Sequence, residues 1–247
     1  MINKKLYLEK TYDHSVSDTP KLTVVLIHGI ASDSSIFTNF LKYLSEVSNL
    51  KSVRFVTFDL LGSGKSLRSD DLNYDYNEQL TALDNSIRQL NSKEPVVLVG
   101  HSLGTFITTR FASEHMDLIK RLILISPPIF TVQDLENPAF KVALETFKNV
   151  IGTKTPEVLK EKSFNNSMEK IVLDKNNYQT LAEIKVPAEL IYGEGDQLIA
   201  SYNIPRILKD NPEYIKATKT DGRHGVTPDK YPRIVEILEE ILNVKDI

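Results

Sequence analysis

The sequence predicts an α/β protein built on a doubly wound, mostly parallel sheet, and three observations carry that expectation. Short apolar runs without polar alternation recur along the chain, as they do in strands buried on both faces. Helical patterns separate them, which argues for right-handed βαβ units in a single sheet. One stretch of about fifty residues lacks any buried-strand signal.

The apolar runs are Leu22–Ile27, Val53–Phe58, Val96–Val99, Leu122–Ile125 and Ala188–Tyr192, with Tyr214–Ala217 a weaker sixth. Residues 4–13 alternate loosely and suit an antiparallel edge strand. Helical patterns fall near Ile36–Val47, Tyr76–Leu90, Leu103–Glu114, Tyr202–Leu208 and Pro232–Leu242. Residues 129–182 read as helices alone. Asn137-Pro138 opens one with an N-cap and a proline at the first helical position, and Gly152 is expected to end it. Thr155-Pro156-Glu157 is expected to open another. The division that follows is a core of residues 1–128 and 183–247, with a helical cap at 129–182 over the carboxyl ends of the strands, where open α/β sheets bind ligands.

Composition narrows the function. The 247 residues are 41% hydrophobic and 26% charged with net charge −3, so there is no basic footprint for nucleic acid. The absence of cysteine excludes disulfides, thiolate catalysis and Cys-based zinc sites. No metal-ligand spacing stands out, so no metal is expected. The first residues lack the apolar core of a signal peptide, and no run approaches the ~18 apolar residues of a membrane span. A soluble cytoplasmic protein is the default expectation.

Chemistry concentrates at Gly100-His101-Ser102-Leu103-Gly104, between the run Val96–Val99 and a helical pattern. A Gly-x-Ser-x-Gly alone is a weak signal. Between a buried strand and a helix it is a nucleophile elbow, a turn so tight that Gly100 and Gly104 must lack Cβ atoms. The helix N-terminus behind it favours developing negative charge. Ser102 then needs a base. Of the five histidines only His115 and His224 follow Ser102, the order expected for this elbow being serine, acid, histidine. His115 lies at the far end of the elbow helix, roughly 20 Å away at ~1.5 Å per residue. His224, in the glycine-flanked loop Asp221–Gly225, is left as the base.

The orienting acid belongs at a strand end between them. Asp196, after Glu189–Tyr192 and a glycine-loosened turn, is preferred, with Glu194 and Asp221 as rivals; its bland alternative is a turn-forming aspartate. Acyl transfer also needs backbone N–H groups facing an oxyanion, and Ile30 and Leu103 are placed to supply them. His28 is better read as structural, bonding its loop's backbone. Gly62-Ser63-Gly64-Lys65-Ser66 brushes against a phosphate-loop pattern but carries Asp59 where that pattern wants glycine, so nucleotide binding is not expected.

Together, His28-Gly29, the segment Asp59–Ser66, the elbow and the spaced Asp196 and His224 resemble the α/β-hydrolase fold family along nearly the whole chain. The resemblance implies an eight-stranded, mostly parallel sheet, a cap after the sixth strand, hydrolysis of ester-like bonds and no cofactor. A serine nucleophile is similar to the esterase, lipase and carbon–carbon hydrolase branches. The expected substrate is a small-molecule ester with a neutral, short to medium acyl group. Part of the apolar set from Phe130 to Met168 would roof its pocket, and only Arg223 stands near as a cation. The same triad acting on carbon–carbon, amide or thioester bonds, or a slow-turnover small-molecule receptor, are the alternatives. Oligomeric state is left open.

Overall fold

The computed structural model describes residues 5–243. The reading of the first residues as leader-free, the start of the 4–13 segment and the last core residues, 244–247, lie outside them. Seven strands form one sheet: β1 (Glu9–His14), β2 (Leu22–Ile27), β3 (Val53–Asp59), β4 (Val96–His101), β5 (Ile119–Ile125), β6 (Ala188–Gly193) and β7 (Ile215–Thr220). Their order is β1-β3-β2-β4-β5-β6-β7, with β1 antiparallel to β3 and the other neighbours parallel. The expected eighth strand is not found among the described residues. The edge segment contributes β1 and no second strand, so the sheet is one strand short of the family count.

The apolar runs of β2 to β6 became strands because their alternate side chains enter different cores. At the sheet edge, β7 sends Ile215 and Ala217 into one of them only. In β2, Val25 and Ile27 face one cluster, while Leu22, Val24 and Leu26 face the other. Helices α2 (Tyr76–Gln89), α3 (Leu103–Glu114) and α8 (Ile204–Asp210) cover the first face through Leu83, Ile107, Phe111 and Ile207. Helices α1 (Thr38–Glu46) and α9 (Tyr231–Asn243) cover the second through Phe40, Leu44, Ile234 and Leu238. The sheet is thus wound on both sides, as the run–helix alternation requires.

Between β5 and β6 lie α4 (Val132–Glu136), α5 (Pro138–Lys154), α6 (Lys162–Ser167) and α7 (Asn177–Ala182). This helical segment follows the fifth strand of the sheet rather than the sixth, because the count begins one strand later. Thr131 and Asp134 close a reciprocal capping box on α4, and Asn137 caps α5 by accepting from the Ala139 N–H, with Pro138 at the first turn. Gly152 does not end α5; the helix continues to Lys154. A Cβ there would meet Leu159 Cδ1 at 2.5 Å, so this glycine serves close packing rather than termination. Thr155-Pro156-Glu157 leads only into a single 3₁₀ turn, Val158–Lys160, without a side-chain cap.

Candidate active site

Ser102 stands at the junction of β4 and α3 with φ 52° and ψ −118°, a left-handed conformation that a side chain adopts only at a cost. The surroundings impose it. The Ser102 N–H donates to the Ile125 carbonyl at 3.0 Å, and its own carbonyl accepts from the Thr105 N–H and hydroxyl at 2.9 and 2.6 Å. A Cβ on Gly100 would lie 2.6 Å from the Gly104 carbonyl oxygen, and one on Gly104 would strike the carbonyls of Ile27 and His28. Both elbow glycines are therefore steric requirements.

The structure brings the three candidate side chains into one line. His224 Nε2 lies 2.9 Å from Ser102 Oγ, and His224 Nδ1 lies 2.9 and 3.1 Å from the two Asp196 oxygens. A carboxylate can only accept, so Nδ1 carries the proton and Nε2 accepts from the serine hydroxyl. Asp196 is buried and also accepts from the Leu198 N–H at 2.9 Å, so it makes the turn bond of the bland reading as well. Burial pushes its carboxyl up, but the bonds from His224 and Leu198 outweigh this and hold it below the usual carboxylate value. The rivals sit elsewhere. Glu194 faces solvent and pairs with Lys219 at 2.8 Å, and Asp221 is exposed.

Ile30 and Leu103 flank the serine in the wall of one cavity of about 320 Å³. Leu103 opens α3, so its N–H has no intrahelical acceptor. Neither N–H is engaged by a loop or turn carbonyl among the described residues. The helical segment supplies most of the remaining wall, including Phe140, Leu144, Phe147 and Met168. Asp134 and Tyr202 add polar groups at that wall; they bond each other at 2.7 Å and join α4 to the loop after β6.

His28 is fully buried away from the line of three, its Nδ1–H donating to the Gly29 carbonyl at 2.7 Å and its Nε2 accepting from the Leu60 N–H at 2.9 Å. Burial holds its imidazole below the ordinary value, as a structural role requires. His115 caps the far end of α3 against Phe111. The glycine-rich turn after β3 closes on the chain's own carboxylate: Asp59 accepts from the Ser34 and Lys65 N–H groups at 2.8 Å each, and a Cβ on Gly64 would strike it. Two residues that sequence reasoning left without a role, His101 and Lys230, reach the backbone of the His224 loop. Neither carried a distinguishing signal, since one lies inside the elbow and nothing in the sequence marks the other as buried.

Among the described residues no group of three histidine or acidic side chains is arranged to hold a metal, and no helix is long and apolar enough to cross a membrane. A sheet wound on both faces, a strained serine at a strand–helix junction and a buried acid bonded to a partly exposed histidine beside it define a hydrolase-type α/β architecture. The alpha/beta hydrolase fold family matches residues 23–160, more than half of the chain, and the chain belongs to that family. It is 33% identical to the probable lysophospholipase BODYGUARD 5 of Arabidopsis thaliana over 119 residues, 48% of this chain and 27% of that protein. It is 27% identical to the human (lyso)-N-acylphosphatidylethanolamine lipase over 148 residues, 58% of this chain and 42% of that protein. The matches thus span well under half of these relatives' lengths. Among solved structures, an esterase from Exiguobacterium antarcticum superposes with TM-score 0.69 at 17% identity, covering 96% of this chain and 98% of that one. A monoacylglycerol lipase from Paleococcus ferrophilus superposes with TM-score 0.64 at 21% identity, covering 96% and 98%. At these identities the likeness is one of fold. The chain has the α/β-hydrolase fold, and the relatives and neighbours it matches include proteins named as lipases and esterases.

Proposed function

We propose that this chain is a serine esterase that cleaves carboxylic esters of neutral, small to medium acyl groups through an acyl-enzyme. The observation that carries the reading is the continuous Asp196–His224–Ser102 line opening onto a largely apolar cavity. His224 Nε2 takes the Ser102 proton as Oγ attacks the ester carbonyl, and the oxyanion is held by the Ile30 and Leu103 N–H groups. On collapse the C–O bond to the alcohol breaks, and His224 returns the proton to the leaving oxygen. Water then repeats the sequence on the acyl-serine, giving the free acid and the original hydroxyl. Asp196 holds the imidazole tautomer and stabilises its charged form. Residues 129–182 serve as the cap that sets acyl preference, and the core of 1–128 and 183–247 carries the chemistry.

An apolar wall supports a neutral acyl arm. Each accommodated CH₂ contributes up to ~0.8 kcal/mol until the space is filled. The names of the curated relatives point instead to lipid esters. Nitrophenyl esters from acetyl to palmitoyl separate the two: kcat/KM is expected to peak at short or medium chains and fall beyond. A maximum at palmitoyl, with activation at a lipid interface, overturns the small-ester reading in favour of a lipase.

A further inference from the structure

The proposed base sits in a loop rather than in a helix or strand. The loop between β7 and α9 carries Gly222 and Gly225 on either side of His224, yet the imidazole must hold its place against both Ser102 and Asp196. Two buried donors meet the backbone at that point. His101 Nε2 lies 2.8 Å from the carbonyl oxygen of His224, so it is protonated and donates to it. Lys230 Nζ donates to the carbonyl of Arg223, one residue earlier, at 2.7 Å. The same ammonium reaches Thr227 Oγ1 at 2.9 Å and Asp229 Oδ2 at 3.4 Å, spending its three hydrogens within this loop.

We propose that His101 and Lys230 are positioning residues for His224, fixing the two consecutive carbonyls that determine where the imidazole stands. This rests on His224 being the base. Three features argue for positioning over generic packing. The Lys230 side chain is 0% exposed, and a buried ammonium is costly unless its acceptors need it; an apolar residue would fill the space more cheaply. His101 has committed Nε2 to the carbonyl, which leaves Nδ1 as a buried nitrogen with no partner among the described residues. A packing residue has no reason to carry that penalty, whereas a donor held in one tautomer does. Finally, neither residue lines the cavity, so neither contacts a substrate held there.

The arrangement also explains how two imidazoles 5.1 Å apart avoid competing for the proton. Burial first, and the neighbouring His224 second, push the His101 imidazole down to about 3, so it stays neutral while His224 cycles through its charged form.

The test uses His101→Leu, which removes the donor, and His101→Gln, whose amide nitrogen reaches a position near the lost Nε2. Lys230→Met removes the second donor at similar length. We expect His101→Leu and Lys230→Met to lower kcat about 10- to 100-fold, the scale of a small misplacement of a catalytic group, with KM little changed. His101→Gln recovers most of the loss. Amide exchange across residues 221–229, read in a Ser102→Ala background that does no chemistry, should speed up in His101→Leu and not in His101→Gln. That second readout keeps the proposal apart from the hydrolase reading: absent hydrolysis in the wild type defeats the latter, while loop exchange still decides the former. Should Lys230→Met fail to fold, the His101 pair carries the test alone. Wild-type kcat and loop exchange in His101→Leu, or equal losses in the Leu and Gln variants, overturn the proposal.

Discussion

The carboxyl edge of the sheet and the helical segment above it are built on opposite terms. At the edge every residue of β4 is buried, Ser102 and Asp196 are 7% and 6% exposed, and the triad's polar atoms are held in short bonds. Above it, the 17 residues of α5 include none that is fully buried, and Val142 and Val150 are 68% and 50% exposed. The helix is held by partly buried Phe140, Leu144, Phe147 and Ile151 on its inner side. The lower region constrains the orientation of its side chains, because hydrogen bonds are directional. The upper region fixes a volume and a polarity, which many sequences can supply. On the proposed function, chemistry and selectivity would therefore be separable, the first carried by the edge and the second by the helical segment.

Substitutions should divide along that line. Ser102→Ala is expected to lower turnover on the order of 10⁶-fold, and adding His224→Ala should cost little more, since the triad acts as a unit. Purified variants compared on a nitrophenyl ester check this; appreciable residual activity removes Ser102 as the nucleophile. Asp196→Asn should cost on the order of 10⁴ by leaving the wrong imidazole tautomer, while Glu194→Gln and Asp221→Asn stay near wild type. Phe147→Ala, in the cavity wall, should instead move the preferred acyl length and change kcat/KM for any one ester only several-fold. A chain-length series that keeps its shape in that variant breaks the comparison, because the helical segment then has no part in selectivity.

Stability should follow the same division. Ile123→Ala, fully buried in β5, is expected to cost about 2–5 kcal/mol, and Val142→Ser under about 0.5, both read by denaturant unfolding. A further effect concerns pH. His101 binds a proton near 6.5 when free and only at about 3 when folded, so the unfolded chain holds more protons between these limits. Its contribution is complete above about 6.5 and is lost as pH falls toward 3. Asp196, also held low, acts in the same direction at more acid pH. Melting temperature should drop on acidification from about pH 7 to pH 4, less steeply in His101→Gln.

Most of the lower region was legible in the sequence, because each feature there has a strict local cause. A strand buried on both faces must be uniformly apolar, so β2, β4 and β5 announced themselves. The elbow admits no Cβ at Gly100 or Gly104, and chain order with strand position pointed to His224 and Asp196. The fold brings His224 within hydrogen-bonding distance of both Ser102 and Asp196. The misses have equally physical causes. Gly152 reads as a helix stop, yet a glycine inside a helix can as well admit a neighbour, here Leu159, and only tertiary packing distinguishes the two. The eighth strand was inferred from resemblance, with no apolar run of its own. His101 and Lys230 act on backbone carbonyls, which carry no side-chain signature. The cavity wall was foreseen as a pool of apolar residues, but which of them face Ser102 depends on helix rotation that partly buried, mixed faces do not encode.

Everything in this account turns on one oxygen. A fluorophosphonate probe reacts only with a serine whose base can take its proton, so the adduct's position and its dependence on His224 test the assignment together. The account predicts a single modified peptide containing Ser102 in the wild type, with labelling reduced to background in His224→Ala. Labelling of a different serine, or undiminished labelling of Ser102 without His224, would contradict it.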